Sequence, residues 1–143
     1  MYSSELKWDF IPPASQCWRR AAYTRVYGPT ALTVVMGSTA LITTPITLTE
    51  TSHVKVFGKA SVLTAEDDWG RLQLGVLRDA VLLDRGWATA NNNSGNAIAG
   101  TAVAQGEDNS LVAGTYNFYL NGQTAVYTLA IYHMVLAIDI ARA

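Results

Sequence analysis

The chain is poor in the residues that most often carry chemistry: 143 residues contain one cysteine, two histidines and four prolines, and only 15% are charged. The single thiol, Cys17, excludes an intramolecular disulfide and a Cys-rich zinc site, and it reads as a small buried or partly buried hydrophobe. His53 and His133 are far apart, and no His-x-His, His-x₃-His or Cys-x₂-Cys spacing occurs, so neither a metal nor a cofactor is expected. Neither histidine has a nucleophile or carboxylate partner visible in sequence. No Gly-x-Ser-x-Gly elbow, phosphate loop or dinucleotide fingerprint is present, and the expectation is a protein without catalytic residues.

Other absences narrow the partners. The longest apolar candidate for a membrane span, Ala125 to Ile138, is interrupted by Thr128, Tyr132 and His133 and falls short of the roughly 18 residues a helix needs, so no membrane partner is expected. A net charge of −1 provides no overall basic field, which argues against nucleic acid. Residues Met1 to Asp9 contain neither a cationic n-region nor an apolar h-region, and synthesis in a reducing cytoplasm is the expectation. Glu66-Asp67-Asp68 lacks the ordered ligand alternation of a calcium loop and reads as a solvated turn. Asn92-Asn93-Ser94 matches a glycosylation sequon that, without a signal sequence, is read as chance.

What the chain does have is apolar surface. Half of its residues are hydrophobic and its mean hydropathy is +0.14, which is apolar for a small domain with a large surface share and points to subunit contacts. Short alternating runs separated by turn residues fill the chain after Gly28-Pro29. Strands are expected near Ala31 to Met36, Ala40 to Thr43, Ile46 to Thr49, Val54 to Thr64, Arg71 to Leu77, Val81 to Trp87 and Ala97 to Gln105. Turns are expected at Gly37-Ser38, Pro45, Thr51-Ser52, Arg78-Asp79 and Asn91 to Asn96.

Leu111 to Ala143 reads as three antiparallel strands in succession. Tyr116, Phe118 and Leu120 share one face and Thr115, Asn117 and Tyr119 the other; Asn121-Gly122 is a hairpin dipeptide; Gln123 to Ile131 follows; and a last run carries Met134, Leu136, Ile138 and Ile140 on one face. About nine strands and no helix make an all-β fold, an antiparallel β-sandwich or jelly roll, because half-apolar sheets bury their faces by stacking. The hairpin is apolar on both faces, which calls for a second cover and hence for self-association, with Tyr119 or Tyr127 at the contact.

The first 30 residues differ. They hold Pro12, Pro13 and Pro29, Trp8 and Trp18, and a basic cluster at Arg19, Arg20 and Arg25 interleaved with Tyr23 and Tyr27, with no sustained periodicity. Prolines forbid regular ladders, so residues 1–30 are expected to be an extended arm and residues 31–143 the sandwich domain. Trp8, Trp18, Arg19, Arg20, Tyr23 and Arg25 are the candidate partner-binding residues, of the types that protein interfaces enrich.

The succession Ile46-Thr47-Leu48-Thr49-Glu50, His53-Val54-Lys55-Val56-Phe57-Gly58-Lys59-Ala60, Arg71 to Asp79, Val112-Ala113-Gly114-Thr115-Tyr116-Asn117-Phe118-Tyr119-Leu120 and Ala137-Ile138-Asp139-Ile140 resembles the small trimeric jelly-roll domains of tailed-phage particles. These are similar in fold to the tumour-necrosis-factor and C1q heads. The resemblance covers residues 31–143 and rests on strand order and an aliphatic-Ala-Gly-Thr-Tyr-x-Phe pattern. It implies a structural virion protein made in the host cytoplasm, a homotrimeric capsid cement or decoration protein bound to the major capsid protein or another virion protein. The alternative is a receptor- or carbohydrate-binding module of a phage fibre, with Trp69 and Trp87 offered to sugar rings.

Overall fold

The computed structural model describes residues 17–28, 30–32, 39–64, 69–93, 96–98, 100–124 and 129–143. Among these there is no helix. The strands are β1 (Arg19–Val26), β2 (Thr30–Leu32), β3 (Thr39–Leu48), β4 (Ser52–Thr64), β5 (Trp69–Arg78), β6 (Val81–Asn93), β7 (Asn96–Ile98), β8 (Gly100–Leu111), β9 (Gly114–Thr124) and β10 (Leu129–Arg142). Eight of them are long; β2 and β7 have three residues each.

The long strands pair from the outside in. β1 lies on β10, β3 on β9, β4 on β8 and β5 on β6, all antiparallel, so that one long hairpin is rolled up on itself. β4 also pairs with β10, and β5 with β9, which gathers the strands into two sheets. Sheet A has the order β1-β10-β4-β8, with β2 continuing along β10; sheet B has the order β3-β9-β5-β6-β7. This is the antiparallel jelly-roll sandwich expected from the sequence.

Strict alternation decides which side chains fill the space between the sheets. Val54, Val56, Ala60 and Val62 of β4 face Leu72, Leu74 and Val76 of β5, with Phe118 and Leu120 of β9 and Leu136 and Ile138 of β10 closing the layer, all of them fully buried. The expected inward faces, Tyr116-Phe118-Leu120 and Met134-Leu136-Ile138-Ile140, both belong to this core. Where β6 crosses β8, Gly86 allows the backbones to meet, because a methyl there would overlap the Val103 carbonyl. Arg78 on β5 forms an ion pair with Asp108 on β8, so a charged clasp joins the two sheets at one end.

Several expectations require correction, beginning with Cys17, which is exposed rather than buried or partly buried. Asn121-Gly122 is not a turn but the interior of β9, where Gly122 pairs with both Thr39 and Leu74; ladders on both sides outweigh the dipeptide's local turn preference. Consequently β9 and β10 are not a hairpin, and they lie in different sheets. β10 is one strand bent at a bulge between Tyr132 and Val135, with His133 at φ 48°. Pro45 likewise sits within β3 rather than between two strands, tolerated because β3 is an edge strand whose outer side needs no donor. Finally, residues 19–26 of the expected arm form an edge strand on β10, and residues 30–32 resume the same edge beyond the bulge. Trp8, Tyr127, Gly37-Ser38 and Glu66-Asp67-Asp68 lie outside the described residues.

Candidate interaction face

The outer face of sheet A collects most of the candidate partner-binding residues. Register places them in rows that run across the sheet. The first row is Arg20, Asp139, Lys55 and Glu107, from β1 through β10 and β4 to β8, with charges alternating in sign. Arg20 Nε donates to Asp139 Oδ1 at 2.5 Å, and Lys55 Nζ stands 3.9 Å from Glu107 Oε1. The Trp18 ring reaches over β10 to lie 4.2 Å from Lys55 Nζ. These pairs are half exposed and individually contribute little stability.

The next row is apolar: Tyr23, Ala137 and Phe57, ending at Gln105. A third row runs Arg25, Val135, Lys59 and Val103. Small residues in the middle of these rows, flanked by large ones, leave a shallow depression of about 460 Å³ between Tyr23, Arg25, Phe57 and Lys59. Tyr23 is 51% exposed and Val103 47%, while Val135 and Ala137 point the same way yet are covered by their long neighbours. Guanidiniums flank the tyrosines: Arg20 Cζ is 5.4 Å from the Tyr23 ring centre and Arg25 Cζ 4.5 Å from that of Tyr27.

β10 is therefore the strand that is apolar on both faces. Leu136 and Ile138 look into the sandwich while Val135 and Ala137 look out. The sequence carries that signal as the unbroken apolar run Met134 to Ile138, which breaks strict alternation and marks a strand wanting cover on two sides. β9, expected to have this property, instead shows Thr115, Asn117, Tyr119, Asn121 and Gln123 outward, a mainly polar row.

The structure thus brings Trp18, Arg20, Tyr23 and Arg25 together and adds Phe57, Lys59, Val135 and Ala137, which sequence reasoning missed. Arg19 is separated from Arg20, Tyr23 and Arg25: it is in register with Ile140 and lines a different depression with Cys17, Trp18, Glu50 and Arg142, where Arg142 Nε pairs with Glu50 Oε2 at 3.1 Å. Tyr119 lies on the opposite side of the sandwich, on the outer face of sheet B.

The two histidines lie apart, on β4 and β10. His53 Nδ1 accepts a hydrogen bond from the Ser110 amide at 3.2 Å, and His133, at the β10 bulge, meets the edge of Tyr27 with ring centres 5.8 Å apart. His53 is in register with Ala141, eight residues along β10 from His133, which separates them by roughly 26 Å at about 3.3 Å per residue. No group of three or more metal-ligating side chains occurs among the described residues, and no described helix is long and apolar enough to cross a membrane.

Neither a protein-family model nor a curated protein matches the chain. Solved structures similar to it include the Eiger TNF of S. frugiperda, at 11% identity and a TM-score of 0.46 over 87% of this chain and 96% of that one. A Stig cyclase, Fisc, from Fischerella sp. TAU is similar at 9% identity and a TM-score of 0.47, covering 94% of this chain and 82% of that one. The infectious bursal disease virus VP2 subviral particle is similar at 8% identity and a TM-score of 0.30, covering 90% of this chain and 38% of that one.

Proposed function

We propose that the protein is a structural component of a virus particle, a homotrimeric cement or decoration protein of a phage head. The observation that carries this reading is the second apolar face of sheet A. A face that leaves Tyr23 and Val103 exposed around the covered Val135 and Ala137 gains by burying them against another subunit, and a face that meets a different surface of its neighbour closes into a ring. The contact is centred on Tyr23 and Phe57, since a few central aromatics usually dominate an interface. The alternating row from Arg20 to Glu107 sets orientation at its rim more than affinity. Trp18, which lies over this row, and Trp8, which precedes it in sequence, are the anchors to the shell. No covalent chemistry is assigned to His53, which accepts a backbone hydrogen bond, or to His133, which meets the Tyr27 ring.

Light scattering on the purified chain, followed by electron microscopy of the native particle that contains it, tests the proposal. The expected result is three times the chain mass in solution and threefold density on the outside of the shell. A monodisperse monomer at tens of micromolar, with no threefold contact in the particle, rejects it.

A further inference from the structure

The opposite side of the sandwich has a different chemistry. On the outer face of sheet B, Gln73 of β5 stands in register between Trp87 of β6 and Gln123 of β9, and two residues on, Gly75 stands between Arg85 and Asn121. Two depressions, about 130 Å³ and 210 Å³, share Gln73 and Gln123 as common walls, and a third of about 480 Å³ beside Tyr119 shares Asn121 with the second. Together they run the length of β5 from Arg71 to Leu77, roughly 20 Å at about 3.4 Å per residue.

Gly75 forms the floor. A methyl group at this position would come within 3.2 Å of Leu82 Cδ1 and 3.5 Å of Leu77 Cδ1, so the two leucines close over the glycine and Leu82 would have to shift to admit a side chain. The walls are carboxamides, each offering two donors and an acceptor, a set that matches vicinal hydroxyls and has no apolar or charged counterpart of equal versatility.

Two guanidiniums stand at this groove and no carboxylate lines its first two depressions. Arg71 Cζ lies 3.8 Å from the centre of the Trp87 ring, which is itself 47% exposed. Stacking fixes the guanidinium plane and leaves its N–H edge free for a bidentate partner. Arg85 forms no ion pair with a carboxylate among the described residues.

We propose that the outer face of sheet B is a binding surface for an acidic oligosaccharide, whose anionic group is held by Arg71 stacked on Trp87 and whose hydroxyls are held by Gln73 and Gln123 over the Gly75 floor. Nucleic acid fits less well, because the groove carries few cations and its polar groups suit hydroxyls. The surface lies on the side of the molecule away from Tyr23 and Phe57, and saccharide binding is measured apart from oligomeric state, so this proposal and the one above fail by different experiments.

The test is a calorimetric titration of the full chain with oligogalacturonate, sialyllactose and a heparin hexasaccharide, with maltohexaose as the neutral probe and oligothymidylate as the nucleic-acid probe. At least one acidic saccharide is expected to bind saturably and at least tenfold more tightly than maltohexaose. Arg71→Ala is expected to weaken binding tenfold or more, Arg71→Lys not to restore it, and Gln73→Ala with Gln123→Ala to weaken it tenfold or more without lowering the melting temperature; Val112→Ser, remote from the groove, is the control. Failure of every acidic saccharide to saturate at millimolar concentration, equal binding of maltohexaose, tighter binding of oligothymidylate, or full affinity in Arg71→Ala or in the double glutamine variant overturns the proposal.

Discussion

Asp79 and Asn117 hold each other by two hydrogen bonds: the Asp79 amide donates to the Asn117 carbonyl at 2.7 Å, and the Asn117 amide donates to Asp79 Oδ1 at 3.0 Å. Asp79 belongs to the two-residue turn between β5 and β6, at φ 50°, and Asn117 to β9, so one side chain fixes the turn and ties it to the neighbouring strand. Asp79→Ala removes the acceptor and places a residue less tolerant of positive φ in the turn, and a loss of about 1–3 kcal/mol is expected. Asp79→Asn retains an acceptor and the conformational tolerance and should lose less. Urea unfolding of the two variants decides the matter; equal midpoints would show that the side-chain bond contributes nothing.

Gly86 is the second sensitive position. The overlap of an added methyl with the Val103 carbonyl involves backbone, which can yield only by moving β8 away from β6. Overpacking of this kind commonly costs about 1–3 kcal/mol and here is expected at the upper end or beyond. Gly86→Ala should lower the unfolding midpoint well below that of Ala88→Gly, a cavity-forming change at a buried neighbour on the same strand. A Gly86→Ala protein as stable as the parent would mean that the two sheets close less tightly than described.

How far the sequence discloses this molecule depends on whether a feature is local. Period-two alternation in Tyr116 to Leu120 and Met134 to Ile140 is local and correctly assigns both inward faces, because a strand exposes its sidedness in its own residues. The jelly roll itself was legible from many short strands of this kind. Asn121-Gly122 misleads because its local preference is overridden by Thr39 and Leu74 on either side, residues distant in sequence. Pro45 misleads for a related reason: only sheet order shows that β3 is an edge. Of the candidate interaction face, Trp18, Arg20, Tyr23 and Arg25 were visible as interface-type residues, but Phe57 and Lys59 join them only through the pairing of β4 with β10.

The self-association proposed for sheet A makes a direct prediction. Tyr23→Asp sets a charge at the most exposed residue of the Tyr23-Ala137-Phe57 row, 51% exposed in the single chain. A buried, unpaired carboxylate is costly at an interface and nearly harmless on a free surface. The variant is expected to sediment as a monomer at concentrations where the parent is trimeric, while keeping the all-β circular dichroism spectrum. An unchanged sedimentation coefficient would place the subunit contact elsewhere.

The last prediction concerns β1. Its register runs from Arg19 with Ile140 to Val26 with Met134, covering one edge of β10, and its inward residues Ala22 and Val26 pack on the core. Thr24 Oγ1 also lies 3.5 Å from Thr44 Oγ1 of β3, a link to the other sheet. Removing this strand uncovers a row of backbone donors and acceptors on a long apolar strand, an edge prone to pair with other chains. A chain beginning at Gly28 is therefore expected to be less stable than one beginning at Cys17 by at least about 2 kcal/mol, the order of one buried valine together with its ladder, and to aggregate on heating. Urea unfolding and light scattering compare the two. Equal stability would restore the view that residues 19–26 are an arm dispensable to the fold; a deficit shows that the strand carrying Tyr23 and Arg25 also closes the sandwich, so that the partner binding proposed for these residues cannot be separated from folding by truncation and must be probed by substitution.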